Sequence, residues 1–195
     1  MQSTLQPTLV QTLWPSRTWR RQAVLGVLGS LLVAFAAQIT IPLPFSPVPI
    51  TAQTFAVLLV AALLGARGGA AALFVYLLEG ALGLPVFAGA AAGPAALVGP
   101  TAGYLYGFVV AAFVVGALCQ RGWDRRFVTA AAAMLVGNAI IYLLGLPWLA
   151  MFVGLDNALP LGLIPFIPGD LLKLALAALS LPLGWKLLGS FHRYG

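Results

Sequence analysis

Charged residues are scarce in this sequence of 195 residues. Only 7% of the chain is Asp, Glu, Lys or Arg, and just four of these residues are acidic, whereas soluble domains carry about 25% charged residues. Hydrophobic residues make up 62% of the chain and the mean hydropathy is +1.03. This composition excludes an ordinary soluble domain and indicates a chain that lies within a membrane.

Cysteine and histidine are nearly absent, with Cys119 and His192 as the single examples. One cysteine excludes an internal disulfide, and the two residues together supply too few ligands for a zinc cluster, so we expect no metal. The sequence also lacks a Gly-x4-Gly-Lys-Ser/Thr phosphate-binding loop and a Gly-x-Ser-x-Gly nucleophile motif. We therefore expect no enzyme activity, no ATP hydrolysis and no cofactor.

Six apolar windows of membrane-spanning length run along the chain. Because hydrocarbon offers no hydrogen-bond partner to the backbone, and because the windows show no alternating polarity, they are predicted to be helices. The predicted fold is an all-α integral membrane protein with six transmembrane helices in residues 22–189, between tails at 1–21 and 190–195. The windows are 22–41, 50–66, 69–84, 101–119, 127–146 and 168–188.

Basic residues mark one side of this arrangement. Nine of the ten Lys and Arg residues fall on the side of the chain termini and none falls on the opposite side. By the positive-inside rule, both termini are predicted to be cytoplasmic in a multi-pass protein of the cell membrane. The bases stand at the ends of apolar runs rather than in stripes with aromatic residues, so nucleic acid is not an expected partner. The nine residues are Arg17, Arg20, Arg21, Arg67, Arg121, Arg125, Arg126, Lys186 and Arg193.

Prolines concentrate on the other side. Eleven of the fourteen lie in or beside the three outward connections. Proline fixes one backbone torsion and lowers the entropy lost on ordering, so the segments 41–51 and 83–101 are predicted to be stiff covers over the helix bundle. Simple helix termination is the alternative explanation for any single proline.

Polar residues inside the predicted spans converge on the same outer half of the membrane. Charged side chains there are costly and usually face a cavity or a partner, so Glu79, Asp170 and Lys173 mark a candidate site. An ion pair of Lys173 with either acid that serves only packing is the alternative. The full polar set consists of Gln38, Gln53, Glu79, Tyr104, Asn138, Tyr142, Asp170 and Lys173.

Asp170 and Lys173 lie one helical turn apart at the start of the last window. This spacing places a hydrogen-bond acceptor close to a cation on one helix face, which suits a small solute that carries both N–H donors and a carboxylate. Phe87 and Phe166 are candidates for contact with an apolar ring or chain of that solute.

Four segments resemble the BioY family, the biotin-specific membrane subunits (S components) of energy-coupling factor transporters. The resemblance implies a six-helix bundle that binds biotin from the outside and associates with a transmembrane coupling subunit and two cytoplasmic ABC ATPases. It also implies direct contact of biotin with Asp170 and Lys173. The segments are PVPITAQTFAVLL at 47–59, YLLEGALGLPVFAG at 76–89, GPTAGYLYGF at 99–108 and IPFIPGDLLKLALA at 164–177.

Biotin presents a ureido ring with two N–H donors and one carbonyl, an apolar thiophane ring, and a valerate chain that ends in a carboxylate. Lys173 is expected to neutralise the carboxylate, and an acid is expected to accept from the ureido N–H groups. The candidate acceptors are Asp170 and Glu79, and the candidate donors to the ureido carbonyl are Gln53, Asn138 and Tyr104.

Gly26, Ser30 and Ala34 form a stripe of small residues at four-residue spacing in the first window. Such a stripe lets another helix approach closely. By resemblance to S components, which dock their coupling subunit through a small-residue stripe on this helix, we expect it to be a docking surface. Packing against a neighbouring helix of the same chain is an equal alternative.

Three functions remain open at this point: a substrate-binding subunit of an ATP-driven complex, a self-sufficient carrier for biotin or another small carboxylate-bearing solute, and a membrane enzyme. The family segments favour the first. Weak inverted-repeat symmetry would favour a carrier, and none is evident in the sequence.

Overall fold

The computed structural model describes residues 6–15 and 18–191, and most of them are helical. This agrees with the predicted all-α class. The helices are α1 (Leu9–Leu13), α2 (Trp19–Gln38), α3 (Gln53–Ala81), α4 (Ala102–Cys119), α5 (Phe127–Val153), α6 (Leu155–Gly162) and α7 (Ile167–Phe191). Single turns of 3₁₀ helix lie at Ala88–Ala90, Pro94–Leu97, Trp123–Arg125 and Ile164–Phe166.

Five helical stretches of the described chain are long and apolar enough to cross a membrane, which makes this a multi-pass membrane protein. The sequence predicted six spans, because it separated the windows 50–66 and 69–84 that α3 joins into one element. The five stretches are Trp19–Gln38, Gln53–Ala81, Ala102–Cys119, Phe127–Val153 and Leu155–Leu188.

Helix α3 reverses its direction at Gly65, whose backbone torsions are φ +79° and ψ −179°. The amide Nε2 of Gln53 lies 2.7 Å from the hydroxyl of Tyr76, although these residues would stand about 35 Å apart along a straight helix. Farther along, a Cβ placed on Gly69 would lie 2.9 Å from the Cα of Ala61. Element α3 is therefore a hairpin of two antiparallel helical arms, 53–64 and 66–81.

The reversal packs tightly against α4. A Cβ added to Gly116 would lie 2.4 Å from the backbone of Gly65 and Ala66. The side chain of Gln120, which follows α4, accepts a hydrogen bond from the backbone N–H of Ala66 at 3.2 Å. Small residues at such crossings allow close helix packing in membranes, where the hydrophobic effect does not drive helices together.

Two short strands, β1 (Thr40–Ile41) and β2 (Ile50–Thr51), pair antiparallel and close the proline-rich segment between them into a loop. Ser46 fixes this loop to α6, since its hydroxyl donates to the carbonyl of Leu161 at 2.8 Å. The segment 41–51, predicted to be a stiff cover, is thus a loop whose two ends pair with each other and whose middle is hydrogen-bonded to α6.

One helix boundary predicted from proline is wrong. The fifth window was expected to end at residue 146, but α5 continues through Pro147 to Val153. A membrane helix tolerates proline when neighbouring groups satisfy the freed backbone carbonyl. The turn to the next element occurs instead at Gly154, where φ is +84°.

The end of the bundle opposite the proline-rich loops carries the basic residues. There Gln6 donates its backbone N–H to the carbonyl of Gln120 at 2.7 Å, and Leu9 of α1 is buried. The guanidinium of Arg125 stacks 4.5 Å over the ring of Trp185 in α7. Part of the predicted 1–21 tail thus packs on the bundle, whereas Arg17, His192 and Arg193 lie outside the described residues.

Candidate ligand-binding cavity

A cavity of about 510 Å³ opens among the helix ends on the proline-rich side. Its volume falls in the usual range for small-molecule pockets, roughly 300–1,000 Å³. Six of the eight residues predicted to bind substrate line it: Gln53, Tyr104, Asp170, Lys173, Phe87 and Phe166. The walls are otherwise mostly apolar, and they include Pro42, Leu43, Pro47, Val48, Pro49, Leu105, Phe108 and Ile141.

Asp170 forms the centre of a polar cluster at the cavity wall. Its Oδ1 accepts from the Lys173 ammonium at 3.2 Å and from the Thr54 hydroxyl at 3.4 Å, and its Oδ2 accepts from the Tyr142 hydroxyl. Lys173 also donates to Thr54 Oγ1 at 3.0 Å. The four side chains come from α3, α5 and α7, so the cluster joins three helices.

The ion pair is largely shielded from water. Asp170 and Lys173 have side chains that are 10% and 18% exposed. The i,i+3 spacing on α7 allows this pairing, which is one of the two ion pairs that the sequence left open, and it brings the two charges together as a neutral unit. Two of the three ammonium N–H groups are used by Asp170 and Thr54, which leaves Lys173 one further donor for a ligand.

Gln53 is held at the cavity wall by its neighbours. Its side-chain oxygen accepts from the Thr51 hydroxyl at 3.1 Å, and its amide nitrogen donates to Tyr76. The Tyr76 hydroxyl in turn donates to the carbonyl of Val86 at 3.0 Å. This chain of hydrogen bonds ties both arms of α3 to the start of the loop that covers the cavity.

Aromatic side chains form the apolar part of the lining. Phe87 packs edge-on against Tyr76 with ring centres 5.4 Å apart, and the rings of Tyr104 and Tyr142 meet edge-on at 6.2 Å. The Tyr104 hydroxyl donates to the carbonyl of Gly162 at 3.0 Å. Tyr104 was predicted to donate to a ligand carbonyl, but its proton is committed to the backbone of α6.

The remaining two predicted binding residues lie away from the cavity. Glu79 is not among the lining residues, and its Oε1 accepts from the Ser30 hydroxyl at 2.9 Å on the side where α2 packs against α3. Asn138 is 7% exposed, and its buried Oδ1 has no hydrogen-bond partner in the described part of the chain. Glu79 therefore faces α2, whereas Asn138 lies on the same face of α5 as the lining residues Ile141 and Tyr142, one helical turn farther from the proline-rich end.

Part of the small-residue stripe of α2, at Ser30 and Ala34, faces inward. Ser30 is completely buried, Ala34 is 9% exposed, and Gly26 is buried as well. The hydrogen bond from the Ser30 hydroxyl to Glu79 shows that α2 packs here against the second arm of α3. Ser30 and Ala34 thus fit the alternative given by the sequence, packing within the chain, whereas a Cβ added to Gly26 would meet no atom of the described chain within 4 Å. The docking role of the stripe stays a prediction.

Thr54 is the cluster residue that the sequence argument did not identify. It is uncharged, and a single threonine in an apolar helix does not indicate a binding site. The available signal was its position in the first turn of a helix directly after Thr51 and Gln53, where three polar side chains in four residues precede a purely apolar run. Tyr142 was noted for its depth in the membrane, but it was not assigned to the site.

The fold and the cavity define a class of protein: a polytopic membrane protein with a mostly apolar solute cavity that contains a shielded carboxylate–ammonium pair. A model of the BioY family matches residues 7–190, which is almost the entire chain. The chain belongs to the BioY family.

Relatives of known name agree with this assignment. The biotin transporter BioY of Thermotoga maritima is 42% identical over 160 residues, covering 82% of this chain and 92% of the relative. The biotin transporter BioY of Rhizobium etli is 39% identical over 180 residues, covering 86% and 96%. A probable biotin transporter BioY of Pyrococcus horikoshii is 40% identical over 159 residues, covering 82% and 93%.

A crystal structure of the S component for biotin from an ECF-type ABC transporter has the same fold. The two structures superimpose with a TM-score of 0.76 over 88% of this chain and 95% of the other, at 24% sequence identity.

Proposed function

We propose that this chain is the biotin-binding S component of an energy-coupling factor transporter. It captures biotin from the outer side of the membrane and delivers it inward with a transmembrane coupling subunit and two cytoplasmic ABC ATPases. The names of its relatives and its fold support this function. The sequence has no nucleotide-binding loop of its own, so ATP-driven uptake requires those partner subunits.

The observation that carries the proposal is the Asp170–Lys173 pair in the wall of an apolar cavity. Because the two charges already compensate each other, a ligand carboxylate would leave the site with a net negative charge. A ureido group is neutral and offers N–H donors beside a carbonyl acceptor, which complements a carboxylate beside an ammonium. We therefore assign the ureido ring, rather than the carboxylate, to this pair.

The rest of the cavity suits the rest of biotin. Phe87 and Phe166 offer apolar contact for the thiophane ring and the valerate chain. The Tyr104 hydroxyl donates to the backbone of α6, so Gln53 is the further donor of the predicted set in the lining, and its amide has a second N–H that can donate to a ligand oxygen. Glu79 and Asn138 act in packing between helices.

The proposed membrane arrangement has six crossings with both termini in the cytoplasm. The reversal at Gly65 supports six crossings, because it gives α3 two arms that run in opposite directions. The basic residues support the orientation, because the described ones other than Lys173 lie at the end opposite the cavity. In this arrangement the cavity opens to the outside.

The decisive experiment has two parts. Purified protein is titrated with radiolabelled biotin, and uptake is then measured in cells that lack biotin transporters, with and without the coupling subunit and ATPases. Binding without the partners, together with uptake that requires them, is the expected result. Uptake by the chain alone would instead identify a self-sufficient carrier, and failure to bind biotin would refute the proposed function altogether.

A further inference from the structure

A second cavity, of about 340 Å³, lies at the basic end of the bundle between α4 and α5. It is polar, and it is separate from the ligand-binding cavity at the proline-rich end. Its lining consists of Gln6, Arg121, Gly122, Trp123, Arg125, Arg126 and Thr129. We call it the arginine cavity.

Among the described residues, three arginines and no acidic residue line the arginine cavity. Arg121, Arg125 and Arg126 are all exposed. Across residues 6–15 and 18–191, the ion pair within 4.0 Å is the one between Lys173 and Asp170, at the other end of the molecule. The nearby Asp124 is buried and accepts from the Trp185 indole at 2.6 Å. Three arginines therefore line one polar space, which favours an anion.

The start of α5 adds to this preference. Helix α5 is 27 residues long, and it begins directly after Arg126, whose side chain makes no capping hydrogen bond. The first backbone N–H groups of a long helix carry a partial positive charge and bind anions well when no side chain caps them. Thr129 of the same first turn lies in the lining.

An apolar surface adjoins the charges and identifies the kind of anion. Phe127 and Val128 follow Arg126 at once, and they are 50% and 75% exposed at the start of a membrane-spanning stretch. A free inorganic anion would leave this apolar surface uncovered, whereas the acyl chains of a lipid would cover it. We propose that the arginine cavity binds the phosphate headgroup of an anionic phospholipid, with the acyl chains lying along the first turns of α5.

The test compares two double variants that remove the same charge. Arg121→Gln with Arg126→Gln alters the cavity, while Arg67→Gln with Lys186→Gln removes two exposed bases elsewhere, and Arg125 is kept because it stacks on Trp185. Native mass spectrometry of the detergent-purified full chain measures binding of phosphatidylglycerol and phosphatidylcholine. We expect the cavity variant to bind phosphatidylglycerol about tenfold more weakly than the control variant, with phosphatidylcholine unchanged.

Three results would overturn the assignment. Equal losses in the two double variants would mean that phosphatidylglycerol responds only to overall charge. Equal affinity of the unaltered protein for both lipids would mean that the headgroup charge is not recognised. Displacement of phosphatidylglycerol by excess inorganic phosphate would identify the free anion as the ligand. If the cavity variant fails gel filtration, the single variant Arg126→Gln against Lys186→Gln gives the same comparison.

Discussion

Asp170 gathers donors from three helices, and this sharing explains how a carboxylate is accommodated inside the membrane. Lys173, Thr54 and Tyr142 each donate to one of its two oxygens. A buried ion pair is stable only when further hydrogen bonds satisfy the remaining lone pairs and N–H groups of the two charged side chains. The cluster is therefore sensitive to single changes, and each partner can be tested through ligand binding.

Replacing Lys173 with Met removes the cation but keeps the length of the side chain. If the pair binds the ureido ring, the affinities for biotin and for biotin amide should both fall about 10- to 150-fold, which is the effect of losing a charge-assisted hydrogen bond. Titration of both ligands measures this, with Lys186→Met as the control at the opposite end.

A loss of affinity for biotin, with the affinity for biotin amide unchanged, would instead assign Lys173 to the biotin carboxylate, as predicted from the sequence. A purely structural pair would give a third pattern. Each single change at Asp170 or Lys173 would then destabilise the protein, and the double change Asp170→Leu with Lys173→Met would restore both stability and normal binding.

Thr54 offers a milder test of the same cluster. Thr54→Val keeps the shape but removes the hydroxyl that bridges Lys173 and Asp170. The lost hydrogen bond is worth about 1 kcal/mol, so we expect biotin affinity to fall roughly fivefold. Thr54→Ser retains the hydroxyl and should bind nearly normally. Equal binding by the Val and Ser variants would show that Thr54 does not position the pair.

Sequence reasoning located the depth of the polar residues better than the direction in which they point. Depth follows from the position of a residue in an apolar window, and it was sufficient for Asp170, Lys173 and Gln53. Direction depends on helix rotation, which is set by packing against neighbours. Glu79 faces Ser30 of α2 instead of the cavity, and Asn138 lies one helical turn away from the lining residues Ile141 and Tyr142.

At the level of elements, the reversal in α3 depends on one residue. Gly65 has a conformation that only glycine adopts readily, and a Cβ added there would lie 2.7 Å from Nε2 of Gln120. Gly65→Ala should therefore destabilise the protein by about 1–3 kcal/mol.

Thermal unfolding in detergent measures this change, and Gly26→Ala is the matched control. Gly26 is helical and has no atom within 4 Å of an added Cβ, so its replacement should preserve or slightly raise stability. Equal melting temperatures for the two variants would contradict the assigned role of Gly65.

The turn between α4 and α5 should make stability depend on pH. Burial raises the pKa of Asp124, and the hydrogen bond from Trp185 only partly opposes this effect. The folded state thus holds the proton more tightly than the unfolded state, where the pKa is about 3.9. The contribution of Asp124 to stability is present below that value and is lost as pH rises through the folded pKa.

Asp124→Asn should abolish this contribution, because an amide can still accept from Trp185 but carries no charge. As pH rises from 4 toward neutrality, the melting temperature of the variant should increase relative to that of the unaltered protein. Asp156→Asn, an exposed acid at the other end, is the control. A difference that stays constant with pH would refute the role of Asp124 burial.

The sequence predicted the helical windows well and their junctions poorly. Hydropathy marks where the chain is apolar, but Pro147 lies inside α5, and the separation of the second and third windows is a change of direction at Gly65 rather than a loop. Both outcomes depend on neighbouring helices. They are therefore properties of the packed bundle and not of the local sequence.

For the whole molecule, the proposed orientation makes a direct prediction. A cysteine placed at Asn157, which is exposed at the cavity end, should react with an impermeant thiol reagent added to intact cells. A cysteine at Arg126 should react only after permeabilisation. The native Cys119 is 2% exposed and should give little background. Labelling of Arg126→Cys from outside, with Asn157→Cys protected, would reverse the assigned topology.

The hairpin in α3 also bears on how the protein is made. Its arms, 53–64 and 66–81, are 12 and 16 residues long by these bounds, and each is shorter than a typical transmembrane helix of roughly 20 residues. Neither arm is a good insertion signal by itself, whereas the two together form one long apolar unit with a single arginine beside its tip. During synthesis the two arms should therefore leave the translocon together. If the ribosome stalled after synthesising the first arm, that arm should not yet be inserted in the lipid.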